Sequence, residues 1–417
     1  MKFGFPIGIS TGFWFIVGLI RAIYEHFNNP LKPKSTKRTV STKDIAVLLP
    51  AHNEEKVIVD CIQALKQSFK TKQIYVSSDG STDNTTMLAK KEGCHVIGFA
   101  PGIGKARALV HMINEYDLYN KYKFIFIIDA DTRIDKTFIP MALPVLEDPE
   151  VGALFAVARI KWPQHVIPSL RYYFIAYRER LNRMLQFFLI YGQTWKYTNV
   201  SFVIPGFCTI YRSSVLKQLR IDTPGLLIED FNLAFQFVRK KLGTLGYSPK
   251  FIAWDQHPDN LSDYWKQVRR WNIGFFQTVR MNGFWPSFFW LSLSVFTIEV
   301  FLNSMFTLAL PFVMLYLVAQ SLAPVSPLMA SYANFYNSFG PFTYLDWELI
   351  IIGYFWFDYA MSVVYGLMCR KPQFMIYGLF FFVMHYITSL ILLSSLIPGF
   401  FSKSDGRWNS PTRLKDF

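Results

Sequence analysis

The sequence predicts a membrane-anchored α/β protein: one parallel-sheet domain between an amino-terminal helix and a carboxyl-terminal group of transmembrane helices. Three observations carry this. Of 417 residues, 52% are hydrophobic and only 17% charged, too apolar for an ordinary soluble enzyme of this length. Short apolar runs alternate with amphipathic segments from Asp44 onward. After Asn282, apolar stretches of spanning length take over.

The first element is an apolar run from Phe3 to about Tyr24, read as an uncleaved anchor because no small-residue cleavage site follows it. "PLKPKSTKRTVSTK" then places positive charge directly behind the anchor, which puts the following domain in the cytosol. "IAVLLP" (Ile45 to Pro50) suits a buried strand, and Glu54 to Phe69 sets Val57, Ile58, Cys61, Ile62 and Leu65 on one helical face. "IYVSS", "HVIGFA" and "FIFIIDAD" read as further strands, with helices at "DNTTMLAKKEG" and "KARALVHMINEY" between them. Such alternation argues for a Rossmann-like sheet whose ligands sit beyond the carboxyl ends of the strands.

Apolar segments near Phe288 to Val318, Glu348 to Met368 and Phe374 to Ile397 are each of spanning length. The stretch from Gln320 to Trp347 lacks Lys and Arg and is expected outside, whereas "CRKPQ" (Cys369 to Gln373) is expected inside. Three crossings would then leave Lys403, Arg407, Arg413 and Lys415 of the tail outside. Either the tail breaks the charge rule or one segment is re-entrant or interfacial. The expected divisions are an anchor at 1–26, a basic linker at 27–43, the catalytic domain at 44–262, an amphipathic interface helix at 263–285, a membrane region at 286–400 and a basic tail at 401–417.

The net charge of +14 raises nucleic acid as a partner, but the basic residues form no dense tract. A lipid bilayer surface or a diphosphate substrate accounts for the charge, and no nucleic-acid partner is expected. Cys61, Cys94, Cys208 and Cys369 are scattered without a CxxC pair and read as reduced core residues.

Four motifs carry chemistry. "SSDGSTDNT" places Asp79 and Asp83 in a turn after a strand, facing a ligand crevice or, for Asp83, capping the next helix through an Asx-turn. Asp129 and Asp131 end an apolar strand, where two carboxylates suit Mg²⁺ or Mn²⁺ held together with substrate phosphates. Glu229 and Asp230 precede a helix, either as its cap or with one as a general base. Gln267, Arg270 and Trp271 share one helical face at i, i+3 and i+4. Forked hydrogen bonds from arginine suit a diphosphate, and an indole suits stacking on a sugar ring. A basic, aromatic helix at the bilayer surface explains Trp265, Lys266 and Arg269 but not that set.

In this order, with a membrane region behind them, these motifs resemble the processive, membrane-embedded family 2 glycosyltransferases: cellulose, chitin, hyaluronan and poly-N-acetylglucosamine synthases. "LLPAHNEE", "GKARAL", "PGFCTIYR" and the tail "RWNSPTR" add to the likeness, which covers roughly Asp44 to Arg280. The resemblance implies a GT-A (Rossmann-like) cytosolic domain in the plasma membrane, and inverting transfer from a nucleotide-diphospho sugar, most readily a UDP-sugar, to a glycan or glycolipid acceptor. Carried onto this chain, it implies that Asp230 is the catalytic base and that Asp79, Asp129, Asp131, Gln267 and Arg270 bind the donor. Asp129 and Asp131 would hold Mg²⁺ or Mn²⁺, and Trp271 and Glu229 would meet the acceptor. Where the family often has two adjacent aspartates this chain has Ser78 and Asp79. Two alternatives stay open: transfer of one or a few sugars to a lipid or glycan, and a non-catalytic nucleotide-binding membrane protein, for which Glu299 and Asp358 would be transport residues. An accessory subunit or oligomer also stays open.

Overall fold

The computed structural model describes residues 8–28, 39–162, 170–339 and 346–404. Residues 3–7 of the expected anchor, most of the linker and the "RWNSPTR" motif lie outside them. In chain order the helices are α1 (Ile9–Asn28), α2 (Ile58–Lys66), α3 (Thr85–Lys91), α4 (Lys105–Glu115), α5 (Leu118–Lys121), α6 (Phe138–Leu146), α7 (Leu170–Met184), α8 (Tyr191–Gln193), α9 (Ser213–Leu216), α10 (Asp230–Arg239), α11 (Leu261–Asn282), α12 (Phe288–Leu322), α13 (Pro327–Asn337), α14 (Trp347–Cys369), α15 (Gln373–Gly378) and α16 (Phe381–Phe401). A π-helical segment, Leu185–Ile190, joins α7 to α8.

Strands β1 (Ile45–Ala51), β2 (Ile74–Asp79), β3 (His95–Phe99), β4 (Phe124–Ile128), β5 (Arg133–Ile134), β6 (Val151–Phe155), β7 (Val157–Ile160), β8 (Cys208–Arg212), β9 (Thr244–Gly246) and β10 (Ile252–Asp255) form two sheets. The larger has the order β3-β2-β1-β4-β8-β6-β9 and the smaller β5-β10-β7. The four strands read from the sequence are mutually parallel. Every residue of β1 and of β4 is buried, which is why both read as unbroken apolar runs. Beyond them the sheet is mixed, since β8 runs antiparallel to β4 and β6.

Helix α2 begins four residues later than its apolar pattern suggests. The N–H of Glu54 donates to Thr85 Oγ1 and that of Glu55 to Asp83 Oδ2, drawing the chain into a loop over the β2 turn. Asp83 also accepts from the N–H of Thr85 at 3.0 Å, so it forms the Asx-turn that was its alternative reading.

Three helices among the described residues, α12, α14 and α16, are long and apolar enough to cross a membrane. Helix α1 carries Arg21, buried against the soluble domain, where its Nη1 donates to the Tyr191 carbonyl at 2.7 Å. The two acids considered for transport are both engaged. Glu299 accepts the Ser10 N–H at 2.8 Å, and Asp358 pairs with Arg180 Nη2 at 2.6 Å and lies 2.9 Å from His385 Nε2. Helix α7 therefore shows two faces: Tyr177 and Arg180 pack into the membrane helices, while Arg178, Asn182 and, beyond its end, Gln186 line a cavity in the soluble domain.

Candidate active site

A cavity of about 410 Å³ opens beyond the carboxyl ends of the strands, within the usual range for a small-molecule site. It brings together Asp129, Asp131, Glu229, Asp230, Gln267, Arg270 and Trp271, seven of the eight residues to which the resemblance gave a role. Chain topology explains the convergence. β4 delivers the aspartate pair at its carboxyl end, the loop after β8 leads by way of α9 to the start of α10, and α11 closes one side.

Asp79 stands apart from the lining. Its carboxylate is buried and accepts the backbone N–H groups of Ile103 at 2.6 Å and Gly104 at 2.8 Å, fixing the loop that enters α4.

Lys105, the first residue of α4, reaches Asp129 Oδ1 at 2.8 Å and Glu229 Oε1 at 3.5 Å. Burial alone would favour its neutral amine, but Asp129, Glu229 and Asp230 outweigh that and hold the ammonium well above its usual range. Asp230 is affected in the opposite way. Burial, then repulsion from Glu229, pushes its carboxyl up to about 7 against the pull of Lys105 and the Gly206 backbone. Its Oδ1 is buried with no hydrogen-bond partner, as is Gln267 Oε1. Such atoms normally find partners, and both residues line the cavity. Gly206 has to be glycine, because a Cβ there would overlap the Asp230 carboxylate.

Gln267, Arg270 and Trp271 lie on the cavity side of α11, which starts with Asn260 Oδ1 accepting the Asp263 N–H at 3.0 Å. The Arg178 guanidinium stacks over the Trp271 ring at 4.5 Å, and its Nε donates to His257 Nδ1 at 3.4 Å. Trp265, Lys266 and Arg269 are exposed, so the surface-helix reading and the cavity reading both describe α11, on different faces.

Five carboxylates line the cavity against the fixed cations of Lys105, Arg178 and Arg270. That excess fits a divalent cation. Among the described residues no three His, Cys, Asp or Glu side chains converge into a ready-made cage. A hard ion held by one or two carboxylates would complete its shell with substrate oxygens, which is how Mg²⁺ commonly binds.

Residues 43–274 match a family model described as "Glycosyltransferase like family 2". The chain belongs to glycosyltransferase family 2. Among curated relatives, the poly-beta-1,6-N-acetyl-D-glucosamine synthase of Staphylococcus epidermidis is 23% identical, over 98% of this chain and 97% of its own. The synthase of the same description from Staphylococcus aureus is 24% identical over 67% of this chain and 68% of its own. A solved mannosyltransferase from Pyrobaculum calidifontis, in complex with GDP-Man and Mn²⁺, shares the fold with a TM-score of 0.52 at 15% identity, covering 94% of this chain and 97% of that one. The glycosyltransferase thus has the expected GT-A-type α/β domain, its sheet mixed where a parallel one was expected, followed by apolar helices of spanning length. As a family 2 enzyme it leaves no place for the non-catalytic reading.

Residues to which sequence reading gave no role also line the cavity. Lys105 was visible only as part of "GKARAL". Arg178 and Asn182 come from α7, whose alternating aromatic and basic residues have no clear period. His257 follows β10 in "WDQH", where four polar or aromatic residues crowd a strand end. That crowding was the one local signal.

Proposed function

We propose that the protein is a membrane polysaccharide synthase that transfers a sugar from a nucleotide-diphospho donor to a growing glycan with inversion at the anomeric carbon. The observation that carries this reading is Asp230. It is a half-buried carboxylate pushed up to about 7, with one buried, unpartnered oxygen, in the cavity that also holds the aspartate pair and the α11 set. A general base works best with its pKa near the operating pH.

In this mechanism Asp230 accepts the proton of an acceptor hydroxyl as that oxygen attacks the anomeric carbon and the nucleoside diphosphate departs. One carboxylate suffices, because inversion needs no covalent intermediate. Glu229 hydrogen-bonds the acceptor, and Trp271, braced by Arg178, offers its free face to the acceptor sugar ring. Arg270 and Gln267 bind the diphosphate, with Arg270 stabilising the charge that develops on it. Asp131 and Asp129 would hold Mg²⁺ or Mn²⁺, which supplies Lewis-acid stabilisation of the leaving diphosphate. Asp79 contributes to the donor side by fixing the loop at Ile103 and Gly104.

The full-length likeness to poly-beta-1,6-N-acetyl-D-glucosamine synthases supports UDP-N-acetylglucosamine as the donor and a glycan as the acceptor. The basic segment before β1 supports a cytosolic catalytic domain and a plasma-membrane location. The test uses purified protein in lipid nanodiscs with Mn²⁺ and radiolabelled nucleotide sugars, and the product is sized. A long product from one donor, absent in Asp230→Asn, is expected. A single labelled lipid or short glycan would overturn the polymer reading, and turnover retained in Asp230→Asn would overturn the base.

A further inference from the structure

Helix α16 is long and apolar enough to cross a membrane, yet its start rests on α7 and its end on α11 and the loop before α10. At its start, Tyr173 of α7 donates its hydroxyl to the Phe380 carbonyl at 2.7 Å. At its end, Gln277 Nε2 donates to the Ser402 carbonyl at 3.4 Å, and the Ser404 N–H donates to the Gly225 carbonyl at 3.3 Å. Gly225 lies in the loop that leads into Glu229 and Asp230.

Between these ends α16 runs alongside α11 in the same direction. The Tyr264 hydroxyl lies 2.7 Å from Thr388 Oγ1, and the rings of Phe276 and Phe400 are 5.5 Å apart. At Gly399 the helices come so close that an added Cβ would sit 2.5 Å from the Phe276 Cβ. Arg280 Nη1 donates to the Phe400 carbonyl. The most extensive partner of α16 is therefore the very helix whose other side faces the sugar cavity, with α12 and, through His385, α14 packing against it as well. Exposed Lys266, Arg269 and Arg280 keep α11 out of the hydrocarbon. A crossing would set the ends of α16 on opposite faces of a core about 30 Å thick.

We infer that α16 lies in the plane of the membrane, in the leaflet facing the catalytic domain, and that its partner on the side away from α11 is lipid acyl chain. Leu390, Ile397 and Phe401 are exposed on α16 and supply the apolar surface for that contact, while Phe382, near its start, sets its ring 5.6 Å from that of Phe355 in α14. Of the three C-terminal candidates, α12 and α14 then cross and α16 does not. The chain goes out and returns, "CRKPQ" and Lys403 lie on the catalytic side, and the charge conflict disappears.

Two measurements on the full-length protein in native membranes test this. First, Lys403→Cys and Ser338→Cys, both at exposed positions, are treated with a membrane-impermeant maleimide in sealed vesicles of each orientation, against the parent protein as background. The expected result is labelling of the two variants from opposite sides; labelling of both from the same side overturns the inference. Second, spin labels at positions 382, 390 and 397 report depth in the bilayer. An in-plane helix holds all three at one depth within a few ångströms. A crossing helix spreads them over about 22 Å, from roughly 1.5 Å of rise per residue, and that spread overturns the inference whatever the labelling shows.

Discussion

The base assignment makes a prediction that can be worked through from the cavity. Two effects raise the Asp230 carboxyl to about 7: burial first, then the neighbouring charge of Glu229, with Lys105 pulling the other way. For a carboxylate that must be ionised to act, the rate rises with pH. With a midpoint of about 7, roughly a tenth of the enzyme is competent at pH 6 and roughly nine tenths at pH 8. Glu229→Gln removes the repulsion and keeps the shape, while Lys105 stays to favour the ionised form. A like charge at contact range is worth on the order of 1 unit, so the acid limb of kcat moves to lower pH by about that much. At pH 6 the ionised share climbs to roughly a half, about five times the parent value, with little change at pH 8. The assay is initial-rate transfer in nanodiscs at saturating donor from pH 5 to 9, each profile scaled to its own plateau. Scaling removes any uniform loss from weaker acceptor contact. An acid limb that stays in place, or moves to higher pH, would refute the electrostatic account of Asp230.

Three further outcomes follow from the same geometry. Gly206→Ala drives a methyl into the Asp230 carboxylate, so kcat should fall by about 100-fold or more, the scale of a lost general base, while donor affinity measured by calorimetry stays within about twofold. Arg180→Met strips Asp358 of its guanidinium partner and leaves it only His385; breaking a buried pair typically costs about 3–5 kcal/mol, of which His385 offsets part, so thermal unfolding in nanodiscs should show a clear drop, and the double variant with Asp358→Leu should recover most of it. Removal of divalent ions with a chelator should stop transfer and Mn²⁺ should restore it, with Asp131→Asn needing at least about tenfold more Mn²⁺; full activity in chelator would refute the metal reading of the aspartate pair.

Much of the site was legible because its chemistry sits where local structure is most readable. Asp129 and Asp131 end a strand so apolar that the carboxylates stand out, and Asp230 opens a helix. Gln267, Arg270 and Trp271 keep helical spacing across a single turn. Lys105, Arg178 and His257 were not assigned roles because their position depends on pairing between distant segments: α4 against the end of β4, and α7 against the residues after β10. Asp79 shows the converse. Its place at a strand end was legible, but the two amides that occupy it come from a loop more than twenty residues later. β8 lies within "PGFCTIYR", which entered only as part of the family likeness, and nothing local says that it runs against its neighbours, since strand direction is set by the connection and not by the strand. Hydropathy likewise detects the apolarity of α16 without distinguishing a lipid contact from a protein one.

The two-faced helix α7 limits how this protein can be divided. A designer looking at the sequence would cut near residue 284 and graft one relative's catalytic half onto another's membrane half. Such a chimera would keep Arg180 but take whatever residues its new membrane half places opposite, where this chain has Asp358 and His385. The same helix carries Arg178 beneath Trp271, so a mismatch in the membrane half would be felt at the sugar. The exchangeable unit is therefore discontinuous: residues 170–184 belong with the membrane helices they grip, and a working graft has to move both together.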